Sequence, residues 1–210
     1  RLYGCQFLKT DEVFDLPLQN FQNIMIPTSK EYKVFKKSKI VELGDETLVG
    51  DTTLTRMLYE RMLCSTYSKD KLKAFMDLVE STDDRLIVFY NFKEELNRMQ
   101  DALLKIDFND YSKRFSVVNG NEKHLDNYEN KSNSITFIQY QSGAMGLNLQ
   151  KANKIIYYSL PLSSELYEQS KKRIHRIGQK KPCFYYQLIC KNSIEEKILK
   201  TLELRQDYNR

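Results

Sequence analysis

The run Leu86-Ile87-Val88-Phe89-Tyr90 constrains the fold more than any other feature of this chain. Successive side chains of a strand point to opposite faces, so five apolar residues in a row demand cover on both sides. That is the condition of a strand inside a parallel sheet with helices packed on each face. Further strand candidates are FQNIMI (21–26), FSVV (115–118), ITFIQY (135–140), KIIYY (154–158) and FYYQLIC (184–190). Between them the apolar period lengthens. Leu54, Met57, Leu58 and Met62 share one helical face, as do Leu72, Phe75, Met76 and Val79, and then Leu96, Met99, Leu103 and Ile106. Strands alternating with helices predict right-handed βαβ units and a three-layer α/β domain with a parallel central sheet. Ligands of such sheets gather beyond the carboxyl ends of the strands, so functional residues are expected just after positions 90, 118, 140 and 158.

Local signals place the remaining boundaries. Residues 1–20 read as an irregular lead-in closing at Leu16-Pro17, and the domain proper as 21–210, with its core over 70–192. Thr28 followed three residues later by Glu31 has the form of a capping box opening a short helix. Ser193 and Glu196 repeat the pattern ahead of a final docking helix spanning 193–210. Residues 39–50 are short, mixed and punctuated by glycine, and no element is assigned to them.

The 210 residues suffice for one large domain, and 41% hydrophobic with 29% charged residues supports a real core. Lys and Arg exceed Asp and Glu by 33 to 28, a formal charge of +5. Residues 171–181, KKRIHRIGQKK, hold six Lys/Arg and no acid, which leaves the rest of the chain near neutrality. A diffuse basic coat is thereby excluded, and one basic spot requires an explanation. Cys5, Cys64, Cys183 and Cys190 are far apart, form no C-x-x-C and are accompanied only by His124 and His175. That spacing argues for free thiols and against structural metal. No apolar run approaches the length of a membrane span. The chain opens on Arg1, which marks it as an expected piece of a longer polypeptide.

No G-x-x-x-x-G-K-[ST] loop is present, so the chain lacks the usual cradle for a nucleoside triphosphate. Asp11-Glu12 and Asp45-Glu46 follow no apolar strand and read as surface acids. Two segments carry more. SSELYEQSKKRIHRIGQ (163–179) reads as one helix, with Leu166, Tyr167, Ser170, Ile174 and Ile177 turned to the sheet. Gln169, Arg173 and Arg176 then fall on an adjacent arc, where two guanidiniums suit an anionic ligand through bidentate contact. The same spacing equally describes a solvated basic face. In the loop after 140, QSGAMGLNL (141–149), small residues permit close backbone approach to a phosphate or a partner domain, or simply an ordinary tight turn.

Taken together, their order and wording resemble one family. Gly146-Leu147-Asn148-Leu149, followed by Gln169-x-x-x-Arg173-x-His175-Arg176-Ile177-Gly178-Gln179, resembles motifs V and VI of the Swi/Snf-like superfamily 2 helicases. RLIVFYNF (85–92) resembles motif IV, with Lys71-Leu72 in the place of a frequent Lys-Leu pair before it. Residues 193–198, SIEEKI, resemble the start of the helix after motif VI. The YYSLP wording (157–161) is similar to compact members from phages and prophages.

The resemblance implies a second RecA-like motor lobe, which closes over ATP and Mg²⁺ held mainly by a first lobe absent from this chain, while duplex DNA lies across both. It implies Arg173 and Arg176 as arginine fingers, with Arg176 favoured, and Gln169 as their orienting partner. It implies contact of Ser142, Gly143 and Asn91 with the DNA backbone, and coupling of that contact to the nucleotide by Gly146 and Asn148. A cytoplasmic setting in a bacterial or phage-infected cell, or the nucleus of a eukaryote, goes with it, and no membrane partner. The lobe alone is expected to bind DNA weakly and with strong salt dependence.

The chain also departs from the pattern. Where many members have an Asp and then Trp-Asn-Pro, it has Ser159, Leu162, Ser163 and Ser164. Lys171 replaces a common acid, Ala144 a common glycine and Gln141 a common basic residue, and there is no tryptophan. Two rival readings are a second lobe of an RNA helicase, which usually has glycine at the position of Lys172, and a motor-derived module that only recruits partners. His175 reads as a structural hydrogen-bonder and His124 as exposed.

Overall fold

A computed structural model describes residues 16–143 and 146–208. The strands are β1 (Gln19–Ile26), β2 (Ile40–Leu43), β3 (Glu46–Val49), β4 (Leu86–Tyr90), β5 (Phe115–Val118), β6 (Lys123–His124), β7 (Ile135–Gln139), β8 (Lys154–Tyr157) and β9 (Cys183–Cys190). The helices are α1 (Lys30–Ser38), α2 (Thr53–Cys64), α3 (Lys69–Glu80), α4 (Lys93–Ile106), α5 (Phe108–Tyr111), α6 (Asp126–Asn130), α7 (Tyr140–Gly143), α8 (Ser164–Lys171) and α9 (Ile194–Glu203).

All five residues of β4 are buried, as their unbroken apolar run requires. The strand lies in the middle of a seven-stranded sheet of order β1-β9-β8-β4-β7-β5-β6. Every neighbouring pair is parallel except β5–β6, a short antiparallel return at one edge. This is the α/β architecture with a helix-flanked parallel sheet that the alternation of periods predicts. A row of rings runs across four strands: Phe21 stacks on Tyr185 at 4.5 Å, Tyr185 lies 6.5 Å from Tyr157, and Phe89 lies 5.8 Å from Tyr157 and 5.1 Å from Tyr140. Each such contact is worth about 0.5–1.5 kcal/mol beyond the area it buries.

Several expectations need correction. Residues 40–49 form the β2–β3 hairpin, a two-stranded sheet of its own. The N-cap of α1 is Ser29, whose hydroxyl accepts from the Tyr32 amide at 3.1 Å, so the helix starts one residue later than a Thr28 cap allows. Along α2, Leu54 and Leu58 are exposed and the buried positions are Leu63 and Cys64. The reason is tertiary: α2 meets α9 as well as α1, and its C-terminal turn carries the burial. On α4, Leu96, Met99 and Leu103 are buried as expected while Ile106, in the last turn, is exposed. β1 begins at Gln19, inside the stretch read as irregular.

The deepest surprise is Lys71, which is fully buried in the first turn of α3. Its ammonium donates to both Glu195 oxygens, at 2.5 and 2.7 Å, and to the carbonyl of Tyr158 at 3.2 Å. Glu195 in turn accepts from the Cys190 amide at 2.9 Å. Desolvation is the largest single influence and works against the Lys71 ammonium, but the charge and hydrogen bond of Glu195, with Cys190 and Cys64, together outweigh it, and the lysine pKa ends above its ordinary value. The pair therefore ties α3, α9 and the ends of β8 and β9 together. Lys71→Ala leaves a buried carboxylate without its cation and is expected to destabilise the chain by about 3–5 kcal/mol. Lys71→Met with Glu195→Gln should recover part of that loss, since a glutamine oxygen still accepts from Cys190. Urea midpoints of the wild type and both variants check the ordering.

Candidate functional site

The residues singled out in the sequence divide between the two ends of the sheet's strands. Beyond the carboxyl ends of the strands lie Asn91 (after β4), Ser142 and Gly143 (in α7, after β7) and Ser159 (after β8). The chain must then return to the opposite edge before β8 can begin at Lys154. Residues 146–152 consequently lie at the amino ends of the strands, as does the turn 172–182 that precedes β9. Gly146, Asn148, Arg173 and Arg176 belong to this second group. Of the residues singled out, Asn91, Ser142 and Gly143 follow strand ends, while the arginine segment precedes a strand.

At the carboxyl edge a buried carboxylate organises the strand ends. Glu95 sits in the first turn of α4, and its Oε2 accepts from the amides of Asn91 at 2.9 Å and Phe92 at 3.2 Å. The same oxygen accepts from the Ser159 hydroxyl at 2.8 Å. Asn91 donates its side-chain amide to Ser159 Oγ at 2.8 Å and to the Leu160 carbonyl at 2.9 Å, and accepts from Gln139 on its own carbonyl at 3.0 Å. Arg61 reaches the Leu160 carbonyl at 3.3 Å and stacks over Phe92 at 5.1 Å. Ser159 stands where the resemblance has an aspartate, and here the carboxylate comes from the neighbouring helix. Ser142 is buried beside this cluster's strand ends, while Ala144 and Met145 lie outside the described residues.

At the amino edge, the segment 163–179 is not one helix. α8 ends at Lys171, and residues 172–178 form a turn, so the arc that would align Gln169 with both arginines does not exist. Ile177, expected against the sheet, is 54% exposed for the same reason. Other bonds hold the turn. The Leu149 amide donates to the Arg173 carbonyl at 3.0 Å. Gln179, buried, donates Nε2 to the carbonyls of Ala152 (2.8 Å), Gln150 (3.1 Å) and Ile174 (3.2 Å) and accepts from the amides of Lys180 and Lys181, both at 3.0 Å. Gly178 has φ +97, and a Cβ there would come within 3.3 Å of the Gln150 side chain. Gly146 has φ +66 and open space where a Cβ would stand. The two motifs are therefore stapled to each other, with Gln179 as the staple.

The arginines are held side by side. Arg173 is 9% exposed, with Nη1 at 3.4 Å from the Leu147 carbonyl. Burial, and then the neighbouring Arg176 charge, depress its pKa below the usual arginine value. Arg176 is exposed, and neither guanidinium has a carboxylate partner among the described residues. Gln169 is half-buried and donates to Glu165 at 2.8 Å. Asn148 is exposed and accepts from the Gln150 amide at 3.4 Å. His175 binds the Pro17 carbonyl at 2.8 Å, the structural role expected of it, and His124 is exposed. Lys171 pairs with Glu168 at 2.5 Å and lies 4.6 Å over the Tyr167 ring.

Glu95, Arg61 and the role of Gln179 are not among the residues that the sequence singles out. A glutamate three residues after a strand-end Phe92 is a visible capping signal; the partners of Arg61 and Gln179 are set by tertiary packing alone. Cys64, Cys190 and Glu195 also lie together, but the Glu195 charge is already balanced by Lys71 at 2.5 Å, and two thiols do not suit a hard cation such as Mg²⁺.

Burial raises the Glu95 pKa, against the opposing effect of Ser65, the Asn91 amide, Ser159 and the Phe92 amide. A folded pKa above the unfolded one means that the native state holds the proton longer. Stability is then lost as pH rises from about 4.3, the unfolded value, through the raised folded value. Glu95→Gln removes this titration, so its stability relative to wild type should increase as the pH rises above about 4.3. Denaturation midpoints of both proteins across that range measure the trend, and a flat difference would contradict it.

Comparison with known proteins bears on the fold and the family. The fold matches the crystal structure of the C-terminal part of the Fun30 ATPase domain, with a TM-score of 0.68 at 16% identity over 89% of each chain. Among curated proteins, it is 28% identical over 196 residues to the putative helicase 172L of Invertebrate iridescent virus 6, covering 90% of this chain and 32% of that one. It is 30% identical over 135 residues to the DNA repair and recombination protein RDH54 of Saccharomyces cerevisiae, covering 61% of this chain and 15% of that one. It is 29% identical over 172 residues to the uncharacterized ATP-dependent helicase YqhH of Bacillus subtilis, covering 81% and 30%. The chain thus spans about a third or less of the length of these relatives. No helix among the described residues is long and apolar enough to cross a membrane. The model of the helicase conserved C-terminal domain matches residues 70–178, more than half of the chain, and the chain belongs to that family.

Proposed function

We propose that this chain is the second motor lobe of a Swi/Snf-like, DNA-stimulated ATPase that translocates on duplex DNA. One observation carries the reading: Arg173 and Arg176 lie together at the amino edge, beside Gly146 and Leu147, without a carboxylate to neutralise them. Two adjacent guanidiniums repel each other and call for a polyanion, and arginine is the residue suited to forked contact with phosphate oxygens. The names of YqhH and RDH54, an ATP-dependent helicase and a DNA repair protein, support ATP and DNA as the two ligands.

On this reading ATP and Mg²⁺ are held mainly by a first lobe of the same polypeptide, and ATP supplies the phosphoanhydride whose cleavage drives the motor. Arg176, exposed, reaches the terminal phosphate across the cleft. Arg173, braced by the Leu147 carbonyl, keeps the second positive charge behind it. Gln169, on α8 and apart from the pair, orients the attacking water. Gly146 leaves open space for the approach, and Asn148 links the nucleotide edge to the loop that starts at Ser142. Ser142, Gly143 and Asn91 meet the DNA backbone at the opposite edge, positioning the duplex without reading its sequence. The protein would act wherever its DNA is housed, the cytoplasm of a bacterial or infected cell or a eukaryotic nucleus.

Arg176→Ala in the full-length protein should leave ATP binding nearly unchanged and lower kcat by roughly 10³-fold or more, the usual contribution of an arginine finger. Wild-type kcat in that variant would remove the assignment. The 210-residue chain by itself is expected to turn over no ATP, as measured by phosphate release. Stimulation of the full-length protein by duplex DNA rather than by RNA separates this reading from that of an RNA helicase.

A further inference from the structure

Along the sequence a single basic spot stands out, in 171–181. The fold assembles a second one by bringing Lys191 beside three lysines of α1, Lys33, Lys36 and Lys37. A recess of about 490 Å³ is lined by Pro27, Thr28, Tyr32, Lys33, Lys36, Lys37, Lys191 and Asn192. It lies where β1 and β9 end: Pro27 follows Ile26, the Lys191 amide donates to the Ile26 carbonyl at 2.7 Å, and Asn192 turns the chain with φ 54. Lys36 is braced against the Asn192 carbonyl at 3.2 Å, and Lys33, Lys37 and Lys191 are exposed. None of the four lysines has an ion-pair partner among the described residues. The Glu60 carboxylate on that side is engaged by the Tyr32 hydroxyl at 3.3 Å.

Four like charges around one concavity repel one another unless an anion with several charges sits among them. The position says which. β1 and β9 run parallel to β8, β4 and β7, so the recess shares the carboxyl edge with Asn91 and Ser142 and lies on the opposite edge from Arg173 and Arg176. Strands are spaced about 4.8 Å apart, so four steps from β7 to β1 cover about 19 Å, comparable to the width of a duplex. A single double helix laid along this edge reaches both places. Lysine, a flexible point charge, suits phosphates met at variable spacing.

We propose that the Lys33–Lys36–Lys37–Lys191 recess is a second contact for the phosphate backbone of duplex DNA, outside the motifs that mark the family. The proposal rests on the duplex-DNA reading above. It predicts that the recess supplies much of the salt dependence of DNA binding by this lobe, and none of its ATP chemistry.

The test is fluorescence anisotropy of the 210-residue chain with a labelled duplex oligonucleotide at several salt concentrations. Lys33→Gln/Lys37→Gln/Lys191→Gln should weaken binding about tenfold at low salt, equally for unrelated sequences, and reduce the log–log salt slope by roughly 0.9 for each phosphate that is no longer neutralised. Circular dichroism of the triple variant, whose changes are all at exposed positions, establishes that it is folded. The Lys→Arg triple should bind like wild type. A matched removal of charge at Lys73, Lys105 and Lys113, away from this recess, should have little effect. If wild type binds the duplex and the Gln triple binds it with the same affinity and slope, the recess is not a DNA contact and the functional reading stands. An equal weakening in the matched control also overturns the proposal, since net charge would then be the cause. If wild type fails to bind duplex at low salt, or binds only vesicles containing phosphatidylserine, both the proposal and the duplex-DNA reading fall.

Discussion

The ammonium of Lys71 and the carboxylate of Glu195 meet at 2.5 Å with neither open to water, and the arrangement of the lobe depends on that meeting. The two residues are 124 positions apart, each in the first turn of its helix, so the bond spans most of the domain proper. It also fixes where β8 ends, through the Tyr158 carbonyl, and where β9 ends, through the Cys190 amide. A buried ion pair is weak evidence for stability as such, because desolvating two charges costs about as much as their attraction returns. Its effect is positional. An unpaired charge in this interior is prohibitive, so α3 and α9 have only one acceptable register on the sheet. The Ile194 amide, bonded to Tyr32 at 2.9 Å, extends the same constraint to α1.

With the helices so placed, the parallel sheet separates two groups of hydrogen-bonded residues by one strand length. Carboxyl-edge residues are organised by Glu95, and amino-edge residues by Gln179; both are buried side chains that spend their bonding capacity largely on backbone groups. Neither is aimed outward. They hold Asn91, Leu160, Gln150 and Ile174 where exposed neighbours can meet a ligand. The segment from Tyr140 to Leu149 joins the edges: the Tyr140 hydroxyl donates to the Ser159 carbonyl at 2.9 Å, and the Leu149 amide to the Arg173 carbonyl at 3.0 Å. The described ends of this segment are thus each bonded to residues of a different edge.

Much of the sheet is legible in the sequence because burial on both faces leaves a run such as LIVFY no other home. Helix existence is legible too, but not which face is covered. Leu54 and Leu58 fit a stripe on α2 and are exposed, because its covered end is chosen by α9, a partner distant in the chain. Lys71 interrupts an apolar i, i+4, i+8 row with Phe75 and Val79, and that interruption is a readable sign of a buried partner; the identity of the partner is not. The motif residues are found by wording, and their wording is right where their assumed geometry is not: a helix through 163–179 would need the backbone to ignore the Gln179 bonds to three carbonyls. Three of the four recess lysines are legible along the chain, since residues 30–39 hold five lysines and one acid; that the end of β9 brings Lys191 beside them is not.

The way the arginine turn is held has a consequence for how such a lobe can vary. Were Arg173 and Arg176 carried on α8, adding or removing one residue in that helix would swing both through about 100° and destroy the site. They are instead clamped to residues 149–152, while α8 is anchored separately, its Ser170 hydroxyl against Tyr157 at 2.8 Å and its Tyr167 hydroxyl against Gln187. An insertion between 163 and 171 therefore breaks the anchors of α8 itself but leaves the bonds between the turn and residues 149–152 in place; an insertion between 146 and 152 breaks the clamp that holds the arginines.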